Sequence, residues 1–79
     1  MFIMEINDFV GKFATQFDDT DASELKPETI YRNLVEWSSL KALFIIAMVG
    51  EEYKVELKGD DIQNSQTIED IFNIVKSRL

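Results

Sequence analysis

The chain contains no cysteine and no histidine among its 79 residues. The first absence removes disulfide staples, thiolate nucleophiles and zinc–thiolate sites, and the second removes imidazole acid–base chemistry. Basic side chains are scarce as well, with eight Lys and Arg against fifteen Asp and Glu and a formal net charge of −7. That balance argues against nucleic acid and against anionic membrane surfaces, both of which select basic patches. It favours a basic partner surface, and it also keeps a small protein soluble. The apolar run from Leu43 to Val49 is too short for a membrane span, which needs about 20 residues. Met1-Phe2-Ile3-Met4 has neither a basic flank nor a long apolar core, so a signal peptide is not expected. Met4 is an alternative start, and a cytoplasmic location is the expectation.

What is present is apolar enough to fold. An apolar content of 46% supports an ordered core in a single domain spanning residues 1–79. Ile3, Ile6, Phe9, Val10, Phe13 and Phe17 recur at three- and four-residue spacing and predict a helix from about residue 4 to 17. Gly11 weakens that helix by about 1 kcal/mol relative to alanine without forbidding it. From Asp18 to Glu36 the chain reads as a long connection, with the turn-rich Asp18-Asp19-Thr20-Asp21 and with Pro27 disfavouring helix at Lys26. Leu25, Ile30, Tyr31, Leu34 and Val35 are the residues available to pin it to the core. The cluster Asp18, Asp19, Asp21 and Glu24 lacks the glycine turn and the distal glutamate of a calcium loop, so a solvated acidic turn is expected and no metal site.

A second helix is predicted from Ser39 to about Glu52, ending near Tyr53. Leu40, Leu43, Ile46, Ala47 and Met48 or Val49 are read as its inward face, while Phe44 and Ile45 widen the apolar stripe nearly all round. Lys54-Val55-Glu56-Leu57 alternates like a strand but is too short and isolated to found a sheet. Gly59-Asp60-Asp61-Ile62 marks a turn or brief third helix. Thr67, as N-cap, opens a last helix carrying Ile68, Ile71, Phe72, Val75 and Leu79. The expected fold class is all-α, a small four-helix bundle of three long helices and one short, with a long loop between helices I and II.

The most informative segment is Glu36-Trp37-Ser38-Ser39-Leu40, where a polar loop turns into the apolar second helix. One serine suffices to cap a helix start, because its hydroxyl oxygen accepts from an unpaired backbone N–H. The second is then free to project from the first turn beside the positive end of the helix dipole. An anionic group such as a phosphodiester attached there is electrostatically favoured. Ser38 is therefore expected to cap and Ser39 to carry.

Over nearly its whole length the chain resembles the acyl carrier proteins. The resemblance rests on the amphipathic first helix, the long loop ending in Leu34-x-x-Trp37-Ser38-Ser39-Leu40, and the apolar second helix. The stretch Glu51-Glu52-Tyr53-Lys54-Val55-Glu56-Leu57 and the Thr67-Ile68-Glu69-Asp70 start of the last helix complete it. In that family a serine in an Asp-Ser-Leu motif at the start of helix II receives 4′-phosphopantetheine from coenzyme A, and the arm's thiol holds acyl groups as thioesters. The resemblance implies that Ser39 is the attachment serine, flanked by Ser38 and Leu40. It implies no catalysis by the chain itself, a monomer, and use by a phosphopantetheinyl transferase and by acyl-transferring or acyl-activating enzymes of fatty acid or specialised lipid or secondary-metabolite synthesis. Trp37, Lys41, Phe44, Ile45, Met48, Glu51 and Glu52 are the implied docking residues.

Two departures stand out. Ser38 replaces the family's aspartate, and Lys41 and Phe44 stand where many carriers have acids. Lys41 also lies near the positive helix end, at a cost of at most several tenths of a kcal/mol. A local rule broken without structural benefit often marks function, so a specialised carrier is expected, docking more by apolar contact, through Phe44 and Ile45 or Met48. Leu43, Ile46, Ala47 and Phe72 are candidates to line a site for an acyl chain. An aminoacyl or peptidyl carrier, or an unmodified carrier-like module that binds a partner protein through helix II, remains open. A serine hydrolase is disfavoured, because Ser39 has no evident base or orienting partner.

Overall fold

The first apolar stripe buries as its spacing requires. In the computed structural model, which describes residues 4–79, α1 runs over Ile6–Ala14 and buries Phe9, Val10, Phe13 and Ala14. It stops sooner than the stripe. The amide N–H groups of Gln16 and Phe17 donate to the carbonyls of Phe13 and Ala14, a tighter turn that still delivers Phe17 to the core. Ile3, at the head of the predicted stripe, lies outside the described residues, as do Met1 and Phe2 of the proposed start.

Three further helices follow: α2 over Ser39–Tyr53, α3 over Gly59–Asn64 and α4 over Ile68–Ser77. Single 3₁₀ turns at Ala22–Glu24 and Tyr31–Asn33 interrupt the long connection. Among the described residues there is no strand, only an isolated bridge between Ile30 and Thr67. The small all-α bundle is therefore as expected, and its Cα radius of gyration of 11.4 Å is that of a single closely packed body. No helix among the described residues is long and apolar enough to cross a membrane.

The core is aromatic at its centre. Phe9 and Phe13 are fully enclosed with Ile45, Val49, Ile68, Ile71 and Val75, so that α1, α2 and α4 share one interior. Ring centroids run from Phe72 to Phe9 (5.7 Å), to Phe13 (6.3 Å), to Tyr31 (6.0 Å) and on to Trp37 (4.7 Å). Enclosing each such side chain contributes about 1.5–3 kcal/mol.

The long connection is held by hydrogen bonds more than by apolar anchors. Thr29 and Pro27 carbonyls accept from the N–H groups of Ile68 and Glu69, satisfying the first donors of α4 (3.2 and 2.8 Å). Thr67 Oγ1 accepts from Asp70 N–H, and the Asp70 carboxylate accepts from the N–H groups of Gln66 and Thr67, closing a reciprocal cap. Tyr31 is buried, and its hydroxyl donates toward the carbonyls of Ile62 (2.5 Å) and Ser65 (2.9 Å). The Arg32 guanidinium spans the carbonyls of Ile62, Gln63 and Ser65 at 2.6–2.7 Å, a cation placed at the negative end of α3. Of the five expected anchors, Leu25 and Tyr31 are buried and Leu34 half-buried. Ile30 and Val35 are exposed, because the bridge to Thr67 and the turn after it direct them outward.

The face of α2 is the main correction. Its buried residues are Ile45, Met48, Val49 and Tyr53, with Ala42 and Ile46 half-buried. Leu40, Leu43, Phe44 and Ala47 are exposed. The expected inward face is thus rotated, because a helix apolar nearly all round carries little phase information and tertiary contacts choose its orientation. The helix ends on Lys54, whose φ of 57° is left-handed. Beyond it, Val55 and Leu57 are buried while Lys54 and Glu56 are exposed, so the alternation reports burial without a partner strand.

Candidate functional site

The two serines differ in their bonding. Ser38 is extended (φ −159°, ψ 171°), and its Oγ accepts from the N–H of Lys41 at 3.3 Å, while its carbonyl accepts from Ala42 at 3.1 Å. Ser39 is the first helical residue and is exposed. The N–H groups of Ser39 and Leu40 have no acceptor among the described residues and lie at the positive end of a 15-residue helix. A hydroxyl so placed fits an attached phosphodiester, whose charge meets free donors and a favourable dipole. No side chain among the described residues hydrogen-bonds to the Ser39 hydroxyl.

Beside Ser39 an open cleft of about 570 Å³ lies between α2 and α3. Ala42, Leu43, Ile46 and Ile62 form its apolar side, with Arg32, Trp37 and Gln63 around it. Of the four residues expected to line a cargo site, Leu43 and Ile46 line this cleft. Ala47 instead faces a groove between α1 and α2, and Phe72 belongs to the core against Phe9.

Several expected docking residues are not surface residues. Ile45 is fully buried and Met48 nearly so, since both face the core from α2. Trp37 is half-buried, its indole packed on the rings of Tyr31 and Phe17 at 4.7 and 6.4 Å. The apolar surface near Ser39 consists of Leu40, Leu43 and Phe44, at 57%, 60% and 40% exposure. Glu51 and Glu52 are exposed but about 18–20 Å along the helix from Ser39 at 1.5 Å per residue. Glu52 lies 3.7 Å from Lys12.

Lys41 also requires correction. Its side chain is only 13% exposed, its ammonium donates to the Gln16 carbonyl at 2.9 Å and lies 3.8 Å from the Asp18 carboxylate. It stands over the rings of Phe17 and Phe44 at 5.7 and 5.5 Å. The rule broken at the helix start therefore has a structural benefit, contrary to expectation. The residue assigned no role of its own from the sequence is Glu36. Its carboxylate accepts from Asp18 N–H (2.9 Å), Asp19 N–H (2.9 Å) and Thr20 Oγ1 (2.7 Å). The Thr20 hydroxyl chiefly, then the two amides and Lys41, hold its carboxyl below the usual range. Burial pushes the Tyr31 phenol up, against the pull of Arg32. The acidic turn 18–21 thus donates through its backbone to Glu36, and no three carboxylates among the described residues gather in metal-binding geometry.

No protein-family model matches the chain.

Proposed function

We propose that the chain is a carrier protein whose Ser39 bears a 4′-phosphopantetheine arm. The observation that supports this most is the division of labour at α2: Ser38 caps, and Ser39 stands exposed beside two free N–H donors and an apolar cleft. In loading, Ser39 Oγ bonds to the pantetheine-bearing phosphorus of coenzyme A. Its proton passes to a base on a phosphopantetheinyl transferase, and the adenosine nucleotide leaves. When bound, the arm supplies a thiol for thioester chemistry. The chain's own contribution is to orient the attachment point, offer N–H groups to the phosphate, and hold cargo at high effective concentration for enzymes that dock on it. The cleft's Ala42, Leu43, Ile46 and Ile62 favour an apolar acyl cargo over an aminoacyl one.

Leu40 and Leu43 take the place of the buried Ile45 and Met48 beside the expected Phe44 as the docking surface, so the partners are enzymes with an apolar contact patch near a basic rim. The same exposed residues favour the alternative of an unmodified module that binds a protein through α2. Intact mass after incubation with coenzyme A and a broad-specificity transferase decides between them. One phosphopantetheinyl addition, absent only in Ser39→Ala and retained in Ser38→Ala, is the expected result. A folded wild-type chain that gains no mass rejects the carrier reading.

A further inference from the structure

Three residues around Ser39 grip one short segment of the chain. Glu36, three positions before it, accepts the N–H groups of Asp18 and Asp19 and the Thr20 hydroxyl. Lys41, two positions after it, reaches the Gln16 carbonyl and the Asp18 carboxylate and covers Phe17. Trp37 stacks on Phe17 between them. The segment 16–20 follows directly from α1, whose Phe13 and Phe9 are fully buried. The serine-bearing start of α2 is therefore tied, on both sides of the serine, by a carboxylate and an ammonium to the segment that leaves the end of α1, of which Phe17 is buried. The N-terminal turn of a helix disfavours a cation, and the Gln16 carbonyl, the Asp18 carboxylate and the Phe17 ring offset that cost.

We propose that Glu36 and Lys41 are positioning residues, which fix the first turn of α2 so that Ser39 is presented in one orientation before a modifying enzyme arrives. The proposal rests on Ser39 being the attachment site. If only a fraction of molecules holds the competent orientation, apparent affinity falls by that fraction while the chemical step is untouched. Loosening the mount therefore raises KM for the carrier and leaves kcat alone.

The test measures loading kinetics with coenzyme A and a broad-specificity phosphopantetheinyl transferase, together with amide exchange of the free chain, for wild type, Glu36→Ala, Lys41→Met and Lys41→Arg. Thermal melts fix a working temperature at which every variant is folded. Glu36→Ala and Lys41→Met are expected to raise KM by roughly three- to tenfold with kcat unchanged. In the free chain they also lower protection of the Ala42 amide, which bonds to the Ser38 carbonyl. Lys41→Arg restores both readings. A lower melting temperature with wild-type KM makes the two residues merely structural and overturns the proposal. A raised KM with unchanged amide protection makes them contacts of the enzyme and overturns it equally. Failure of the folded wild-type chain to load overturns the attachment reading and the proposal with it, whereas equal KM in all four loaded chains overturns the proposal alone.

Discussion

Ser38 holds the third N–H of α2 through a 3.3 Å bond that alanine cannot make. Ser38→Ala is expected to destabilise the chain by about 1 kcal/mol in a denaturant titration, and Ser39→Ala, which removes an exposed hydroxyl, by less than about 0.5 kcal/mol. A reversed order would show that the two serines exchange tasks. At the other end of α2, Lys54 occupies left-handed backbone that costs an L-residue roughly 1–2 kcal/mol and glycine almost nothing. After the larger unfolded-state entropy of glycine is subtracted, Lys54→Gly should raise stability by about 0.5 kcal/mol, read as a higher midpoint at unchanged denaturant slope.

The face that α2 turns inward is the element-scale claim most open to test. Ile45→Ala should cost about 2–5 kcal/mol, because it opens a cavity against Phe9 and its neighbours, while Leu43→Ala should stay within about 0.5 kcal/mol. Equal losses at the two positions would put the helix in the phase its sequence pattern first implied. That pattern was legible in α1 and α4, where one apolar stripe faces one core, and the Thr67 and Ser38 caps were legible because a hydroxyl before an apolar run has a single local task. In α2 the signal is missing because apolar residues surround the axis, so burial of Ile45 and exposure of Leu43 follow from contacts made elsewhere. Glu36 and Lys41 were illegible for a related reason. Their partners lie 16 to 25 positions away, and no spacing rule pairs a carboxylate with the amides of a distant turn.

At the scale of the whole molecule, the titration behaviour follows from which groups are present. Hydrogen bonds hold the carboxyls of Glu36, Asp61 and Asp70 below their usual range: from Thr20 first for Glu36, from Arg78 for Asp61 and from the Gln66 and Thr67 amides for Asp70. Groups with lowered folded pKa add stability that is present above their unfolded pKa, near 4, and is lost as pH falls through the folded value. Tyr31 and Tyr53 are shifted up by burial, so their share is intact below about 10 and disappears as pH rises through the raised folded values. No histidine lies between these limits. The melting temperature should therefore be flat from about pH 5.5 to 9 and fall on either side, and a step near pH 6.5 would contradict this. The aromatic path from Phe72 to Trp37 has a practical consequence of another kind. Trp37 is the only indole in the chain, and it ends that path 4.7 Å from Tyr31 and directly before Ser38. Its fluorescence therefore reads two events in one cuvette: loss of the core, which moves emission toward that of hydrated indole, and, under the attachment proposed at Ser39 two positions on, a change of intensity while the fold persists.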